Sequence, residues 1–282
     1  MTIPKVSLKI LIFFSILNSQ ALFAQDISVM TYNIRLDVAS DGINQWSNRK
    51  EKIISQIKYY SPDIFGLQEA LFHQLEYVSE NLPDYEWYGV GRDDGKKAGE
   101  FSPIFFNKRL FEKEKNGTFW LVEDITKPGK GWDAALPRIA SWVQLRNRKT
   151  GKQFIVYNTH FDHVGKMART ESLKLIANQA KANATSMPAI IMGDLNTVPE
   201  EESIAGFKQS KIWQDAFEVA KIKHGPTCTF NGFSPVHPER RIDYIFCNQD
   251  FEVKSYLSIS EIYDGVFPSD HWPVLVSLRF KK

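Results

Sequence analysis

Apolar positions along this chain follow two alternating rhythms. In residues 27–36 (ISVMTYNIRL), Ile27, Val29 and Thr31 alternate with Ser28, Met30 and Tyr32. That period of two predicts a first strand, with Asn33 near its end. Residues 46–60 switch to helical spacing: Ile53, Ile57 and Tyr60 share a face, Arg49, Lys50 and Lys52 lie elsewhere, and Ser61-Pro62 stops the run. Residues 64–67 read as a short buried strand that delivers Gln68 and Glu69, and residues 72–82 as a second helix. Such a βαβα opening marks a layered α/β fold. The middle of the chain is richer in strands. Residues 85–90, 103–107, 118–122, 139–145 and 154–161 are β-branched or aromatic runs separated by Gly, Asn, Asp or Lys clusters. The last of them, FIVYNTHF, brings His160 to its end, with Asp162 and His163 just beyond. A helix over residues 166–184 then sets Leu173, Ile176, Ala177, Ala180 and Ala184 on one stripe.

The next stretch, AIIMGDLNTVPE (residues 189–200), is the sharpest signal. Four apolar residues end at Gly193, as expected of a strand buried on both faces. Side chains two apart on a strand share a face, so Asp194 and Asn196 are expected to emerge together at its carboxyl end, where open α/β sheets bind ligands. Asp then Asn after a strand is also ordinary turn chemistry. A short helix around residues 203–208 and strands over 242–247, 251–259 and 272–280 complete the chain. Strand, polar residues and helix thus recur early and late, which predicts two similar α/β halves facing each other in one domain, residues 25–282.

Residues 1–24 change the picture of where the protein acts. Lys5 and Lys9 precede a mostly apolar stretch, residues 10–17, and small residues end at Ala21 and Ala24. This reads as a cleaved signal peptide, too short in its apolar part to span a bilayer, so export to the periplasm or medium without a stable membrane anchor is expected. Its removal takes two lysines and no acids from a formal charge of +2, leaving zero. A dedicated duplex-binding protein usually carries a basic excess, so nucleic acid is possible as a substrate but not favoured. Cys228 and Cys247 lie outside any CxxC context, which argues against zinc, and one disulfide between them is left open.

The strand ends carry a common kind of cargo: Asn33, Glu69, His160 with Asp162, Asp194 with Asn196, Asp243, and Ser269-Asp270-His271. Brought together they would line one pocket with carboxylates, amides and histidines. That set suits a hard divalent cation and the hydrolysis of a phosphate ester, which needs charge neutralisation and a positioned water. Asp243 stands inside an aromatic-apolar strand and needs a partner if buried. His271 is the natural one, since an Asp–His pair fixes the ring tautomer and raises its basicity.

The segments TYNIR (31–35), FGLQE (65–69), NTHFD (158–162), GDLN (193–196), RIDYIF (241–246) and SDHWPV (269–274) occur in the order seen in the endonuclease/exonuclease/phosphatase superfamily. The chain resembles that family, which includes deoxyribonuclease I-like nucleases, across nearly all of residues 25–282. The resemblance implies a four-layer α/β sandwich with two central, mainly antiparallel sheets face to face and helices outside. It also implies cleavage of a phosphoester that depends on Mg²⁺ or Mn²⁺. On the matching positions, Glu69 is implied as the principal metal ligand, with Asn33 beside it and Asp270 near. Asp194 is implied to position or deprotonate the attacking water, and Asn196 to hydrogen-bond the phosphoryl group. His271, oriented by Asp243, is implied as general base or cationic stabiliser, and His160 as a phosphate-binding or leaving-group histidine. Abasic-site endonucleases carry an acid where this chain has Arg35, a cation able to hold a phosphate bidentately. Asp162, His163 and Arg169 are grouped with Arg35 on the substrate side. The loops 91–99 and 127–137 are expected to overhang the pocket.

The expected function is therefore an exported metal-dependent phosphohydrolase that cleaves a phosphodiester or phosphomonoester by in-line attack of activated water. A small, sugar- or lipid-linked phosphate is preferred as substrate. The alternatives are a nuclease acting on DNA or RNA and a non-catalytic phosphate-ligand binding protein on the same scaffold.

Overall fold

A computed structural model describes residues 26–183, 187–236 and 239–281, so the leader read in residues 1–24 lies outside the described residues. Strand β1 (Asp26–Asn33) connects through a 3₁₀ segment (Ala39–Asn44) and helix α1 (Trp46–Tyr60) to β2 (Ile64–Gln68), which pairs parallel with β1. Then come α2 (Phe72–Asn81), β3 (Tyr85–Tyr88), β4 (Ile104–Asn107), β5 (Phe111–Trp120), β6 (Ile139–Asn147) and β7 (Gln153–His160). Helix α3 (Lys166–Asn183) carries the chain to β8 (Ala189–Asp194), again parallel to its predecessor. The remainder is α4 (Glu202–Gln209), β9 (Trp213–Asp215), α5 (Ala216–Val219), β10 (Ile222–His224), β11 (Asp243–Asn248), β12 (Phe251–Ser258) and β13 (Val274–Phe280). Among the described residues no helix is long and apolar enough to cross a membrane.

The strands form two sheets, β10-β12-β13-β1-β2-β4-β3 and β5-β6-β7-β8-β11-β9. Both are mixed, with antiparallel pairs in the majority. Alternating apolar residues of the two inner faces, among them Val29, Ile64, Val156, Ile190 and Val276, pack into a central core. The outer face of the first sheet is covered by α1 and α2 through Ile53, Ile57, Leu75 and Val78, and that of the second by α3 and α4 through Leu173, Ile176, Ile204 and Phe207. This is the four-layer sandwich. Its expected internal likeness is visible in the order β13-β1-β2-β4 against β6-β7-β8-β11. Each runs antiparallel, parallel, antiparallel, with a helix joining the parallel pair.

A buried polar stitch ties the sheets together. Gln68 Nε2 donates to Thr31 Oγ1 (3.0 Å) and to Asn158 Oδ1 (2.7 Å), while Asn158 Nδ2 donates to the carbonyls of Leu67 and Pro103 (both 2.8 Å). Gly66 makes the close approach possible, because a Cβ there would lie 2.5 Å from the Asn158 amide carbon.

Several elements differ from their sequence patterns for physical reasons. Strand β5 starts at Phe111 and not near 118, because it is an edge strand whose first half, FEKEKNG, holds charged side chains toward water. Strand β1 stops at Asn33: its side-chain oxygen accepts from the Arg35 N–H (3.0 Å), and Arg35 turns the chain with φ 58°. Arg49, placed by periodicity off the apolar face of α1, is fully buried. It donates to the carbonyls of Ile34 (2.7 Å) and Pro268 (2.9 Å), fixing the two loops that flank the strand ends. Cys228 and Cys247 are thiols in separate clusters, Cys228 with Phe267 and Trp272 and Cys247 in the central core.

Candidate active site

Strand register brings the chemistry to one end of the sandwich. His160 pairs with Asp194, Asp194 with Asp243, Asn33 with Gln68 beside Glu69, and Thr31 with Val274 just after His271. These ends surround a cavity of about 350 Å³ lined by Arg35, Glu69, His160, His163, Asp194, Asn196, Asp270 and His271.

At its floor the two sheets meet through one amide. Asn33 Nδ2 donates to Glu69 Oε1 and to Asp194 Oδ2, each at 3.0 Å. Its oxygen is held by the Arg35 N–H, which can only donate, so the nitrogen end faces the carboxylates. Asn33 positions both acids here through its nitrogen, while its oxygen accepts from the Arg35 N–H. Glu69 Oε2 accepts from the Leu36 N–H (3.2 Å). Asp270 lies beside Arg35, 3.9 Å from its Nε, and accepts from Ser269 Oγ at 3.4 Å.

Asp194 Oδ2 is the hub. It lies 3.5 Å from His160 Nε2 and 3.7 Å from His271 Nε2, while Oδ1 accepts the Asn196 N–H (2.9 Å). That last bond is a turn: the strand ends at Asp194, and Asn196 has φ 49°, so the two residues share the pocket through a left-handed kink and not through strand alternation. Arg35, Glu69 and Asn196 all adopt positive φ just beyond strand ends, the kind of local strain that concentrates at functional sites.

The two histidines beside Asp194 are driven in opposite directions. His271 Nδ1 bonds Asp243 Oδ2 at 2.9 Å. Burial opposes its charged form, but Asp243, Asp194 and Asp270 more than offset this and its pKa rises to about 10. For His160 burial also acts first, and the nearby Arg138 adds to it, bringing the pKa down to about 3. Asn196 Nδ2 donates to His160 Nε2 and to the Phe161 carbonyl, both at 3.0 Å, as suits a neutral ring. Both N–H bonds of that amide are thus engaged, and the expected donation to a phosphoryl oxygen is not offered by this arrangement. Asp194 itself is pushed up, by burial and then by Asp243.

In chelator-treated protein, ring-nitrogen NMR should therefore show His271 still charged at pH 8 and His160 still neutral at pH 5. His271 contributes stability fully present below its unfolded pKa of about 6.5 and lost as pH rises through about 10. His160, depressed, contributes stability present above about 6.5 and lost as pH falls toward about 3. Two histidines both titrating near the unfolded value would contradict this geometry.

Two residues assigned to the substrate side do not reach the cavity. The Asp162 carboxylate accepts the N–H groups of Leu136 (3.1 Å), Val164 (3.0 Å) and Gly165 (2.8 Å). Burial opposes its ionisation, yet these donors hold it below the usual carboxylate range. It organises the loop before α3. Arg169 is buried against the Asp162 carbonyl (3.2 Å) and Glu201 (3.1 Å), joining that loop to the one before α4. Arg35 does line the cavity, but its fork is already held by Asp41, Nε and Nη2 each 3.0 Å from a carboxylate oxygen. Glu100, Arg138, Phe230 and Arg240 also line it and carried no sequence signal, coming from loops and loop–strand junctions with no motif of their own. Loop 127–137 contributes Leu136, whereas loop 91–99 contributes nothing to the lining and Glu100 follows it.

Oxygen donors dominate the floor. Single ligand atoms of Glu69, His160 and Asp194 lie within 4.8 Å of one another, as do those of Asp194, Asp243 and His271. The first group has its carboxylates drawn together by Asn33 and fits a divalent cation. In the second, His271 Nδ1 is committed to Asp243.

Residues 30–271 match the Endonuclease/Exonuclease/phosphatase family. The chain belongs to that family. Endonuclease/exonuclease/phosphatase proteins are divalent-metal-dependent hydrolases of phosphoester bonds, and this chain is such an enzyme. A family protein of Bacteroides thetaiotaomicron is 38% identical with a TM-score of 0.89, the match covering 92% of this chain and 99% of that one. A mannosyl-6-phosphatase of the same organism is 39% identical with a TM-score of 0.87, covering 90% and 100%. Among curated proteins, the 3'-5'-exoribonuclease subunit of the CCR4-Not complex of Mycosarcoma maydis is 25% identical over 92% of this chain, which spans 51% of that protein's length.

Proposed function

We propose that this enzyme is an exported hydrolase of small phosphate esters with a sugar-sized leaving group. The observation that carries this reading is the pocket: about 350 Å³, at the small end of ligand sites, with charged side chains of both signs around its wall. The similarity to a mannosyl-6-phosphatase supports it. Export rests on the signal-peptide pattern of residues 1–24.

Glu69 and Asp194, with His160 beside them, would hold Mg²⁺ or Mn²⁺. When bound, such a cation neutralises charge that develops on the phosphoryl oxygens. Asp194, at the hub of the cavity floor, accepts the proton of the attacking water. The water oxygen forms the new bond to phosphorus while the ester oxygen leaves in line and takes a proton from solvent. His271 enters as the imidazolium, held by Asp243, and faces the negative phosphoryl group as a fixed cation. The raised pKa favours this over a general-base part for His271. His160 is neutral and set by Asn196.

A panel of mannose 6-phosphate, p-nitrophenyl phosphate, bis-p-nitrophenyl phosphate, a single-stranded oligoribonucleotide and plasmid DNA, with Mg²⁺ or Mn²⁺, tests the reading. Turnover should be fastest on the sugar phosphate. Fast degradation of the oligonucleotide with little action on small esters would replace the reading with an exonuclease one, to which the CCR4-Not relative lends support.

A further inference from the structure

Arg138 stands one residue before β6 and is 5% exposed, yet it forms part of the wall of the catalytic cavity. Its Nη2 reaches His163 Nδ1 at 3.3 Å. Nε and Nη1 are buried without a hydrogen-bond partner. The nearest carboxylate, Asp162, lies 3.6 Å from Nε, and its oxygens already accept three backbone N–H groups. Other arginines near the site are differently placed. Arg35 is forked onto Asp41, Arg92 pairs with Glu100, Arg169 with Glu201, and Arg240 lies over the Phe230 ring. Arg138 thus keeps donors without acceptors while its side chain forms part of the wall of a cavity that also holds Asp194 and His271.

Buried N–H groups of a guanidinium are costly to leave unpaired and are matched best by an anionic oxygen pair. A phosphomonoester presents three terminal oxygens and close to two negative charges at neutral pH. A diester presents two such oxygens and one charge, with an alkyl group in place of the third. We propose that Arg138 selects the dianionic phosphomonoester over the diester by receiving the oxygen that a diester has esterified. This rests on the small-ester reading above and narrows it to monoesters. Arg138 is a specificity residue that touches substrate and takes no part in proton transfer. A site built to donate to a given group rejects analogues lacking it far more strongly than an apolar pocket rejects a missing methylene.

The test uses p-nitrophenyl phosphate and methyl p-nitrophenyl phosphate, which share a leaving group, with wild type, Arg138→Gln and Arg138→Lys, all in Mg²⁺. Wild type should favour the monoester. Arg138→Gln should lower kcat/KM on the monoester about 10²-fold, mainly through KM, and change the diester less than about threefold. Arg138→Lys, which keeps the charge without the fork, should fall between and guards against loss through misfolding. Inhibition by inorganic phosphate should weaken by the same factor as the monoester KM. Equal loss on both esters, or an unchanged ratio in both variants, overturns the assignment while leaving the small-ester reading intact. A wild type that prefers the diester overturns the assignment at once, and one that degrades oligonucleotides while ignoring both small esters overturns the reading as well.

Discussion

Asp194→Asn should lower kcat by about 10³-fold, within the range general-base catalysis supplies, and leave the fold in place. The substitution keeps the shape of a 1% exposed side chain, and its one oxygen can still accept from the Asn196 N–H, at the loss of the bond that Asn33 Nδ2 gives to the other oxygen. What it removes is the carboxylate oxygen at the hub of the cavity floor, between His160 and His271, that is placed to accept a proton. His271→Ala should cost a similar factor for a different reason. It removes a buried cation and strands Asp243, whose Oδ1 already lacks a hydrogen bond. Steady-state kinetics beside thermal unfolding separates loss of chemistry from loss of structure. An Asp194→Asn enzyme within tenfold of wild type would remove Asp194 from the base's role.

Removal of divalent metal should abolish turnover, and Glu69→Gln should shift the metal requirement. The carboxylate of Glu69 is fixed from two sides, by Asn33 Nδ2 and the Leu36 N–H, in a backbone conformation with φ 61°. A glutamine keeps the size but loses the charge that a hard cation needs. The metal concentration for half-maximal rate should rise about 10²-fold, at or above what disturbing a ligand's supporting residues costs, with kcat largely recovered at saturation. Titration of chelator-stripped enzyme with Mg²⁺ and Mn²⁺ measures this. An unchanged half-saturation point would place the cation elsewhere.

Most of the fold was legible because its strands end in polar residues that nothing in a core would tolerate singly. The βα rhythm located β1, α1, β2, β7, α3 and β8, and the motifs gave the residues that converge. The misses share a cause. Periodicity reports which way a side chain points only while the chain stays regular, and the functional residues sit where it stops. Asn196 reached the pocket through a kink, and Asp162 left it through a turn of backbone donors. Charge at the site was read by sign alone. Arg35, Arg169 and Arg138 look alike in a sequence, and only their partners, Asp41, Glu201 and no fully matched acceptor, tell them apart. Strands β9 and β10, three residues each, fall below what any alternation can reveal.

The 3.0 Å link from Asn33 to Asp194 joins groups 161 positions apart on opposite layers. The site residues are shared between the two sheets, so neither half of the scaffold contains a working centre alone. Catalysis in this architecture is a property of the seam. The loops around its mouth can vary without touching that link, whereas a slip of one layer against the other would part Asn33 from Asp194 and silence this enzyme.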